Sequence, residues 1–412
     1  MKNKRSFHWA WVILAICFFN LFLNYSIRLG YGVVLPEMIS DLDINRTLGG
    51  SIFNAYFFTY IALTPLAGIL TDRLGARRVI TVSVFILGLG TLLMGSAGSF
   101  WSACLFYAIV GLGSSGIWTP ILTVVQRWFD IRRKGFALGI LSTGYGLGFA
   151  TMGVIFPLIV GHFSWRYSWY FLGTGALVMG LFTGILLRSD PETAGYLPWG
   201  KDETSSPYPG EESQDKGKTG LFSTILINRT FWLIGFSYFF MSCCLYGITT
   251  FMVDYARHQL GLPLERASLL ATVHGIGQII GVLTLLPLSD YLGRKKSIVL
   301  SNTFIAASLM GILLSGGSWI LLFLFVGIMA VFYGAIWPMY GACAGDYFRK
   351  EIMGTVIGAW TPFYGLGAIT AHWVCGFLRD ITGIYTEAFL FSTAMALLGL
   401  LFMLPVKKNS PW

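Results

Sequence analysis

The sequence predicts an all-α membrane protein in which twelve transmembrane helices form two pseudo-symmetric six-helix bundles. Three observations lead to this prediction: the composition is strongly apolar, long apolar segments recur along the chain, and the two halves of the chain repeat each other. Of the 412 residues, 55% are hydrophobic and 11% are charged, and the mean hydropathy is +0.69. Soluble domains carry about a quarter charged residues, so this composition excludes a soluble fold.

The apolar segments define twelve spans, six in each half of the chain. Each span approaches or exceeds the roughly 20 residues that a helix needs to cross a bilayer. The predicted spans are 10–36, 48–71, 79–98, 101–126, 136–161, 167–187, 231–256, 267–289, 298–315, 318–345, 353–378 and 385–405. They divide the chain into an N-terminal bundle (1–187), a cytoplasmic linker (188–229) and a C-terminal bundle (230–412).

The second half of the chain repeats the first in a nearly constant register. One alignment places the segment GYGLG at 144–148 on FYGLG at 363–367, and it places Trp118 on Trp337. An alignment that differs by a single position places the segment DRLG, which begins at residue 72, on DYLG, which begins at residue 290. In a strongly apolar chain, such duplication predicts a transporter whose halves move around a central site.

The basic residues predict the topology. Of the 28 Lys and Arg residues, 22 lie on the side of the N-terminus, five lie on the opposite side, and Arg28 lies within a span. Because positively charged loops stay in the cytoplasm, both termini are predicted to be cytoplasmic. The same asymmetry accounts for the net charge of +9, so no nucleic-acid partner is expected.

No enzymatic chemistry is inferred from the linker, from the cysteines or from any motif in the sequence. The linker is polar and rich in Pro, Gly and Ser, as at 205–207, which predicts a flexible tether, with a regulatory role as the alternative. All six cysteines lie in predicted spans without metal-ligand spacing, so they are interpreted as packing residues and no metal site is expected. No nucleotide-binding loop or nucleophile arrangement occurs in the sequence, so neither a cofactor nor an enzyme is predicted.

A charged loop motif follows the second span and recurs in the second half. Residues 68–78 read GILTDRLGARR, and a degenerate copy at 289–296 reads SDYLGRKK. The motif resembles the cytoplasmic loop motif of the major facilitator superfamily. Each aspartate can accept from a neighbouring helix N-terminus or pair with a loop arginine in one conformation and release it in another; a solvated turn is the alternative. The four residues predicted to gate the conformational change are Asp72, Arg73, Asp290 and Arg294.

Several shorter segments resemble bacterial members of the monocarboxylate transporter and oxalate/formate antiporter group. These segments are FHWAWV at 7–12, GVVLP at 32–36, QRWF at 126–129 and DPETAGYLP at 190–198. The resemblance implies that small organic anions, often monocarboxylates, move with protons or by exchange across a bacterial inner membrane. The sequence departs from this group in one respect. Members commonly carry an anion anchor in span eight or eleven, but neither 267–289 nor 353–378 contains Lys, Arg, Asp or Glu.

Arg28 is the one charged residue deep within a predicted span, and it is predicted to replace that anchor. An ionised side chain there costs about 2.5–3.5 kcal/mol on insertion scales, so it normally faces a cavity and has a function. A guanidinium can hold a carboxylate through two parallel hydrogen bonds. A snorkelling or internally paired arginine is the alternative. Helical spacing places Asn24 and Tyr31 on the same face as Arg28.

Histidines and tyrosines at similar depths complete the candidate site. His274 and Gln278 lie one turn apart on span eight, and histidine titrates near neutral pH, so His274 is predicted to bind substrate and carry a proton. A neutral histidine hydrogen-bonded between helices is the alternative. His372 is a second proton-coupling candidate, with packing as the alternative. The tyrosines predicted to line the substrate site are Tyr56, Tyr145, Tyr246 and Tyr364.

Together these features predict a secondary transporter that moves a small carboxylate with protons by alternating access. The alternatives are an anion exchanger, a carrier of another organic anion such as a sugar acid or a dicarboxylate, and a membrane sensor that keeps the transporter fold. The expected partners are the substrate anion, protons and the lipid bilayer. A monomer is expected because no segment requires a partner chain.

Overall fold

A computed structural model describes residues 8–200, 225–349 and 352–407 of the chain. Within these ranges the regular structure is helical and no β-strand forms. The polar part of the linker around 205–207 lies outside the described residues, so the flexibility predicted for it stays a prediction.

Each half of the chain contributes six long helical segments that run back and forth. The N-terminal half contains α1 (Trp9–Asp41), α2 (Arg46–Leu74), α3 (Ala76–Gly95), α4 (Phe100–Ser115), α5 (Trp118–Trp128), α6 (Ile131–His162) and α7 (Trp165–Leu186). The C-terminal half contains α8 (Arg229–His258), α9 (Leu264–Leu292), α10 (Arg294–Leu314), α11 (Trp319–Tyr347), α12 (Met353–Thr382) and α13 (Thr386–Met403). A short 3-10 turn, Glu192–Ala194, follows α7.

Twelve spans result, and the predicted all-α architecture is confirmed. Among the described residues, eleven helical segments are long and apolar enough to cross a membrane. One of these runs from Phe100 to Trp128 and includes both α4 and α5, which are separated by a turn at Gly116. Pro120 lies one helical turn beyond Gly116 and has no N–H to donate to its carbonyl, which explains the break. The twelfth span is α12, a helix of 30 residues whose His372 and other polar groups lower its hydropathy.

The repeat is visible in the backbone at the two loop motifs. α2 ends at Gly75 with φ +83°, and α9 ends at the equivalent Gly293 with φ +89°. Glycine suits this region because it has no Cβ to clash with the backbone. In both halves the next helix begins at the following residue, so the motif glycine turns the chain sharply from one span into the next.

Two helix pairs join the halves through equivalent contacts. On α2, Asn54 Nδ2 donates to the carbonyl oxygen of Ile369 on α12 at 3.2 Å. On α9, Thr272 Oγ1 donates to the carbonyl oxygen of Ala150 on α6 at 2.9 Å. The repeat makes Thr272 the counterpart of Asn54, and it makes Ile369 the counterpart of Ala150. The two interfaces are therefore copies of one contact.

Glycines allow the paired helices to approach closely. A Cβ on Gly275 of α9 would collide with the carbonyl oxygen of Gly146 on α6. A Cβ on Gly50 of α2 would lie 2.6 Å from the carbonyl oxygen of His372 on α12. Such close approach excludes a larger residue, and it is typical of helices that pack backbone to backbone in membranes.

The two halves are closed on one side of the membrane and parted on the other. Between described residues, every hydrogen bond and ion pair that links the halves lies from mid-membrane to the side opposite the loop motifs. Glu37 and Arg257, for example, pair there at 2.6 Å. On the loop-motif side, by contrast, no described atom of another helix lies within 4 Å of a Cβ placed on Gly139 or Gly358. The side opposite the loop motifs is called the closed side below.

The start of the linker folds back onto the N-terminal half. Trp199 donates its backbone N–H to the carbonyl oxygen of Trp128 at 2.8 Å, and its ring packs against Trp11 with centroids 5.0 Å apart. Asp190 pairs with Arg127 at 2.7 Å. Residues 188–200 are therefore an ordered strap, unlike the flexible tether that their composition predicted, because their aromatic side chains pack against the N-terminal half.

Candidate functional site

Arg28 lies on α1 at the centre of the molecule and faces the C-terminal half. Its side chain is 2% exposed. Arg28 Nη2 donates to the hydroxyl oxygen of Tyr246 on α8 at 2.6 Å and to the hydroxyl oxygen of Tyr364 on α12. The two tyrosine oxygens are 2.5 Å apart and are themselves hydrogen-bonded. The guanidinium from one half is thus capped by two hydroxyls from the other half.

Six aromatic rings surround the guanidinium. Their centroids lie 4.8 to 5.8 Å from Arg28 Cζ, within the range of cation–π attraction. The rings belong to Tyr25, Tyr56, Phe57, Tyr60, Tyr246 and Tyr364. Within the described part of the chain no carboxylate pairs with Arg28, and its Nε has no hydrogen-bond partner. The site is therefore a buried cation held by neutral groups, with hydrogen-bonding capacity left over.

Asn24 and Tyr56 belong to one hydrogen-bonded chain beside the aromatic cage. Ser114 of α4 donates to Asn24 Oδ1 at 2.7 Å. Tyr56 lies 2.6 Å from the same serine oxygen. Because the single hydroxyl hydrogen of Ser114 goes to Asn24, Tyr56 donates to Ser114. This chain fixes the Tyr56 ring against Arg28, and Ser114 is a member that the sequence analysis did not identify.

Tyr31 and Tyr145 lie further from the guanidinium. The Tyr31 hydroxyl donates to the carbonyl oxygen of Gly49 at 2.6 Å, and its ring stacks on Tyr107 at 4.9 Å. Tyr31 therefore lies within the N-terminal bundle and is not brought to Arg28. Tyr145 packs on Tyr25 with centroids 4.5 Å apart, which places it in a second layer behind the cage.

His274 and Gln278 contact each other and not Arg28. Gln278 Nε2 lies 2.8 Å from His274 Nδ1, and both side chains are buried. The His274 ring packs against Phe149 of α6 and Tyr333 of α11 with centroids 5.4 and 4.7 Å away. Among the described residues its Nε2 has no hydrogen-bond partner. His274 therefore keeps one buried ring nitrogen that makes no hydrogen bond with the described residues.

His372 lies directly beside the cage and is fully hydrogen-bonded. Its Nδ1 is 2.7 Å from Asn54 Oδ1, and its Nε2 is 3.0 Å from Thr250 Oγ1. Since the Asn54 oxygen can only accept, Nδ1 carries the hydrogen and Nε2 is left to accept from Thr250. The ring stacks on Phe53 at 4.5 Å and lies 5.8 Å from the ring of Tyr246.

Asp254 is a buried acid that the sequence analysis missed. It lies near the end of α8 on the closed side, and its side chain is fully buried. Asp254 accepts from Arg46 of α2 at 3.2 Å, from His258 at 2.7 Å and from the hydroxyl of Tyr385. A signal was present in the sequence, because Asp254 is the one acid within the predicted span 231–256.

The four loop-motif residues differ in their contacts. Asp290 accepts from Arg294, which also lies 3.7 Å from Asp346 of α11. Asp72 and Arg73 are exposed and make no side-chain hydrogen bond or ion pair with the described residues. Of these four residues, only Asp290 and Arg294 thus have side-chain partners within the described chain, on the side where the halves are parted.

Two bundles of repeated helices around a buried central cation have the architecture of transporter folds that are built from internal repeats. The sequence profile of the Major Facilitator Superfamily matches residues 14–268 and 237–412. The chain belongs to this family. It is accordingly an integral, multi-pass membrane protein, and no enzymatic activity is assigned to it.

Three relatives that are similar to this chain over most of its length carry different functional names. A probable hexose phosphate transport protein of Chlamydia muridarum is 24% identical, with 98% of this chain and 92% of that protein aligned. A hexuronate transporter of Bacillus subtilis is 25% identical over 91% of this chain and 89% of that protein. A membrane sensor protein of Escherichia coli is 25% identical over 98% of this chain and 93% of that protein.

Among solved structures, a bacterial homolog of the human lysosomal transporter Spinster shares the fold. Its crystal structure in an inward-facing, unoccupied conformation aligns with a TM-score of 0.73 over 98% of this chain and 97% of that chain, at 16% identity. At this identity the likeness shows the fold alone.

Proposed function

We propose that this protein is a secondary transporter that moves a small organic anion bearing one carboxylate, coupled to protons, by alternating access. The observation that carries the proposal is Arg28, a buried guanidinium with no carboxylate partner in the described chain and an unpartnered Nε. A buried positive charge without a counter-ion is unfavourable unless an anion arrives to pair with it. The substrate carboxylate is that anion.

Binding exchanges one set of hydrogen bonds for another. In the structure Arg28 Nη2 donates to the hydroxyls of Tyr246 and Tyr364. A carboxylate takes two parallel N–H groups of the guanidinium, and the displaced hydroxyls then donate to its oxygens. Because these tyrosines belong to the opposite half, the substrate becomes a bridge between the two halves.

The charge of the site favours a monoanion. Arg28 is the one cationic side chain in the cage, and a second carboxylate or a phosphate dianion would leave a negative charge buried without a partner. The hydroxyl-rich lining also suits a hydroxylated body, which stacks its C–H face on aromatic rings while tyrosines bond its hydroxyls. A hexuronate, which carries one carboxylate, fits both features, and a relative is named for this class. Lactate-like monocarboxylates fit the first feature.

Alternating access follows from the one-sided closure of the halves. The charge asymmetry of the loops favours cytoplasmic termini, and a bacterial cytoplasmic membrane is the location proposed here. The parted loop-motif side then faces the cytoplasm, and this is the inward-facing state. Closing that side would bring Asp72 and Arg73 towards the other half, where they gate the cycle together with Asp290 and Arg294.

Proton coupling is assigned to the buried histidines. His372 lies one ring away from Tyr246 and has an Nε2 that accepts, so protonation there adds a positive charge beside the bound anion. His274 is the second candidate because its Nε2 has no partner among the described residues. No cofactor or metal is included in this mechanism.

The test is uptake of a labelled panel into proteoliposomes, with and without an inwardly directed proton gradient. The panel contains lactate, pyruvate, glucuronate, glucose 6-phosphate and glucose, and the protein is compared with an Arg28→Gln variant. Accumulation of a monocarboxylate only with the gradient, and only in the unchanged protein, supports the proposal. Uptake of glucose alone, or equal uptake by the variant, overturns it.

The same purified protein can be used to distinguish two other functions, an anion exchanger and a sensor. An exchanger moves labelled anion only when the vesicles are loaded with unlabelled anion, and it moves no protons. A sensor is favoured by one relative's name, and it would bind the anion at Arg28 without transporting it. Saturable binding in detergent together with no uptake into vesicles would identify a sensor.

A further inference from the structure

Polar side chains recur at every fourth position of α8, on the face that meets the N-terminal half and α12. From mid-membrane to the closed side they are Tyr246, Thr250, Asp254 and His258. Residues four apart lie one above the other on a helix. These four side chains, called the α8 stripe below, therefore form a continuous line from the substrate site to the membrane surface.

Each member of the stripe has a polar partner. Tyr246 contacts Arg28 at 2.6 Å, and Thr250 contacts His372 Nε2 at 3.0 Å. At the outer end, Asp254 and His258 contact each other at 2.7 Å. The side chain of His258 is 36% exposed, whereas that of Asp254 is fully buried. The stripe thus begins at a solvent-accessible imidazole and ends at the guanidinium of the substrate site.

Asp254 is shared between the two halves. From the N-terminal half it accepts from Arg46 of α2, and from its own half it accepts from His258 and from Tyr385, which precedes α13. Three other charged groups flank this cluster, and among the described residues none of them forms an ion pair with Asp254. They are Arg379 of α12, which lies over the Tyr385 ring, Asp380 of α12, which accepts from the N-terminus of α2, and Glu37 of α1, which pairs with Arg257.

Separation of the halves on the closed side removes only one of these partners. Arg46 leaves with the N-terminal half, while His258 and Tyr385 stay with Asp254. A carboxylate that loses a neighbouring positive charge takes up a proton more readily. When the halves close again, Arg46 returns and competes with that proton for Asp254.

We propose that Asp254 and His258 form the site at which the proton enters the transport cycle, and that Thr250 and His372 pass it to the substrate site. This inference rests on the proton-coupled transport proposed above. The proton binds the His258–Asp254 pair from the outer solution while the halves are parted there. Return of Arg46 expels it along the stripe.

The transfer conserves the proton at each step. One helical turn separates Asp254 from Thr250, a distance that a bridging water spans. The Thr250 hydroxyl takes the proton from this side and gives its own to His372 Nε2, which accepts because Nδ1 already carries a hydrogen. The resulting imidazolium lies beside Tyr246 and adds to the positive charge of Arg28 until the proton leaves with the substrate.

The first test measures coupling in proteoliposomes that contain a trapped pH dye and labelled glucuronate or lactate. Asp254→Asn and His258→Gln are compared with Glu37→Gln, a control that breaks another ion pair between the halves without touching the α8 stripe. We expect both stripe variants to lose gradient-driven accumulation and proton entry while keeping counterflow exchange. We expect the control to keep all three. Gradient-driven accumulation by Asp254→Asn equal to that of the control overturns the proposal.

A second measurement needs no substrate. Ser268 is fully buried on the closed side between the halves, so a Ser268→Cys reporter, in a Cys104→Ser background, reacts with an impermeant maleimide only when that side opens. Because maleimides react with the thiolate form of cysteine, each labelling rate is divided by the rate for a free cysteine peptide at the same pH. We expect this normalised rate to be higher at pH 5 than at pH 8, and no such pH difference after Asp254→Asn. Equal pH dependence in both proteins overturns the proposal, even if no anion in the panel is transported. If Asp254→Asn does not fold, the same comparison with His258→Gln decides the question.

The results of these two experiments distinguish an error in the proton site from an error in the proposed substrate. If the unchanged protein takes up no anion but shows the Asp254-dependent labelling, the proposed substrate is wrong and the proton site remains. If it exchanges anions and no proton enters, the proton site is wrong together with the coupling, and the Arg28 site remains.

Discussion

Arg28 donates to the hydroxyl of Tyr246 across 2.6 Å, and the two residues occupy equivalent positions in the two halves. The pseudo-symmetry axis that relates the two halves therefore passes between the Arg28 guanidinium and the Tyr246 hydroxyl. Duplicated helices bring the same depth of each bundle to the centre, so divergence at one pair of equivalent positions gives an asymmetric contact between a cation of one half and a hydroxyl of the other. The contact also joins the two halves.

Arg28→Lys is expected to abolish uptake although the charge is kept. Lysine is a point charge and cannot present two parallel N–H groups to a carboxylate. Initial rates of uptake and of counterflow should both fall to the level of empty vesicles. Arg257→Lys, which alters an ion pair on the closed side, is the matched control and should transport. Normal counterflow by Arg28→Lys would refute the anchor.

Tyr246→Phe and Tyr364→Phe are expected to raise KM for the anion more than they lower kcat. Each change removes one hydroxyl that donates to the bound carboxylate, and a hydrogen bond to a charged group is worth about 1.5–3 kcal/mol, or roughly tenfold or more in affinity. Uptake is measured over a range of anion concentrations. Tyr31→Phe is the control, because its hydroxyl bonds Gly49 and not Arg28. An equal rise in KM in all three variants would contradict direct contact with the substrate.

His372→Gln is expected to abolish gradient-driven accumulation and to leave counterflow exchange. Glutamine can bond Asn54 and Thr250 but cannot carry a proton near neutral pH. His274→Gln is expected to keep the coupling, because the contacts of His274 are with Gln278, Phe149 and Tyr333 and not with Arg28. Both variants are assayed with and without the gradient. The reverse pattern would assign the proton to His274, and retention by both variants would remove the histidines from the coupling.

Gly275→Val is expected to open the closed side and slow transport. Its side chain would enter the space that the carbonyl oxygen of Gly146 occupies. The conformation with that side closed is then disfavoured. Maleimide labelling of the Ser268→Cys reporter should become faster. Gly161→Val is the control, since no described atom of another helix lies within 4 Å of a Cβ there. Unchanged labelling in Gly275→Val would show that this crossing does not hold the halves together.

The sequence was sufficient for the twelve spans and the family, because long apolar segments and a duplicated loop motif are local features. It also identified Arg28 as a candidate functional residue, because a charged side chain within an apolar span is costly and normally has a function. The spacing of residues along α1 did not determine which of its side chains lie beside Arg28. Asn24 and Tyr31 share its face by spacing, yet Tyr31 bonds Gly49 inside its own bundle, because α2 approaches α1 on that side.

Only the tertiary structure decided how the halves meet. The sequence assigns no role to Asp254, because its partner Arg46 comes from the second helix of the other half. It likewise assigns no role to Tyr25, Phe57 and Tyr60, which the tertiary structure brings to Arg28. The sequence by itself determined which segments span the membrane, because hydropathy is a property of each segment. The structure determined which buried groups touch, because contact between halves depends on the angle and register of helices distant in the chain.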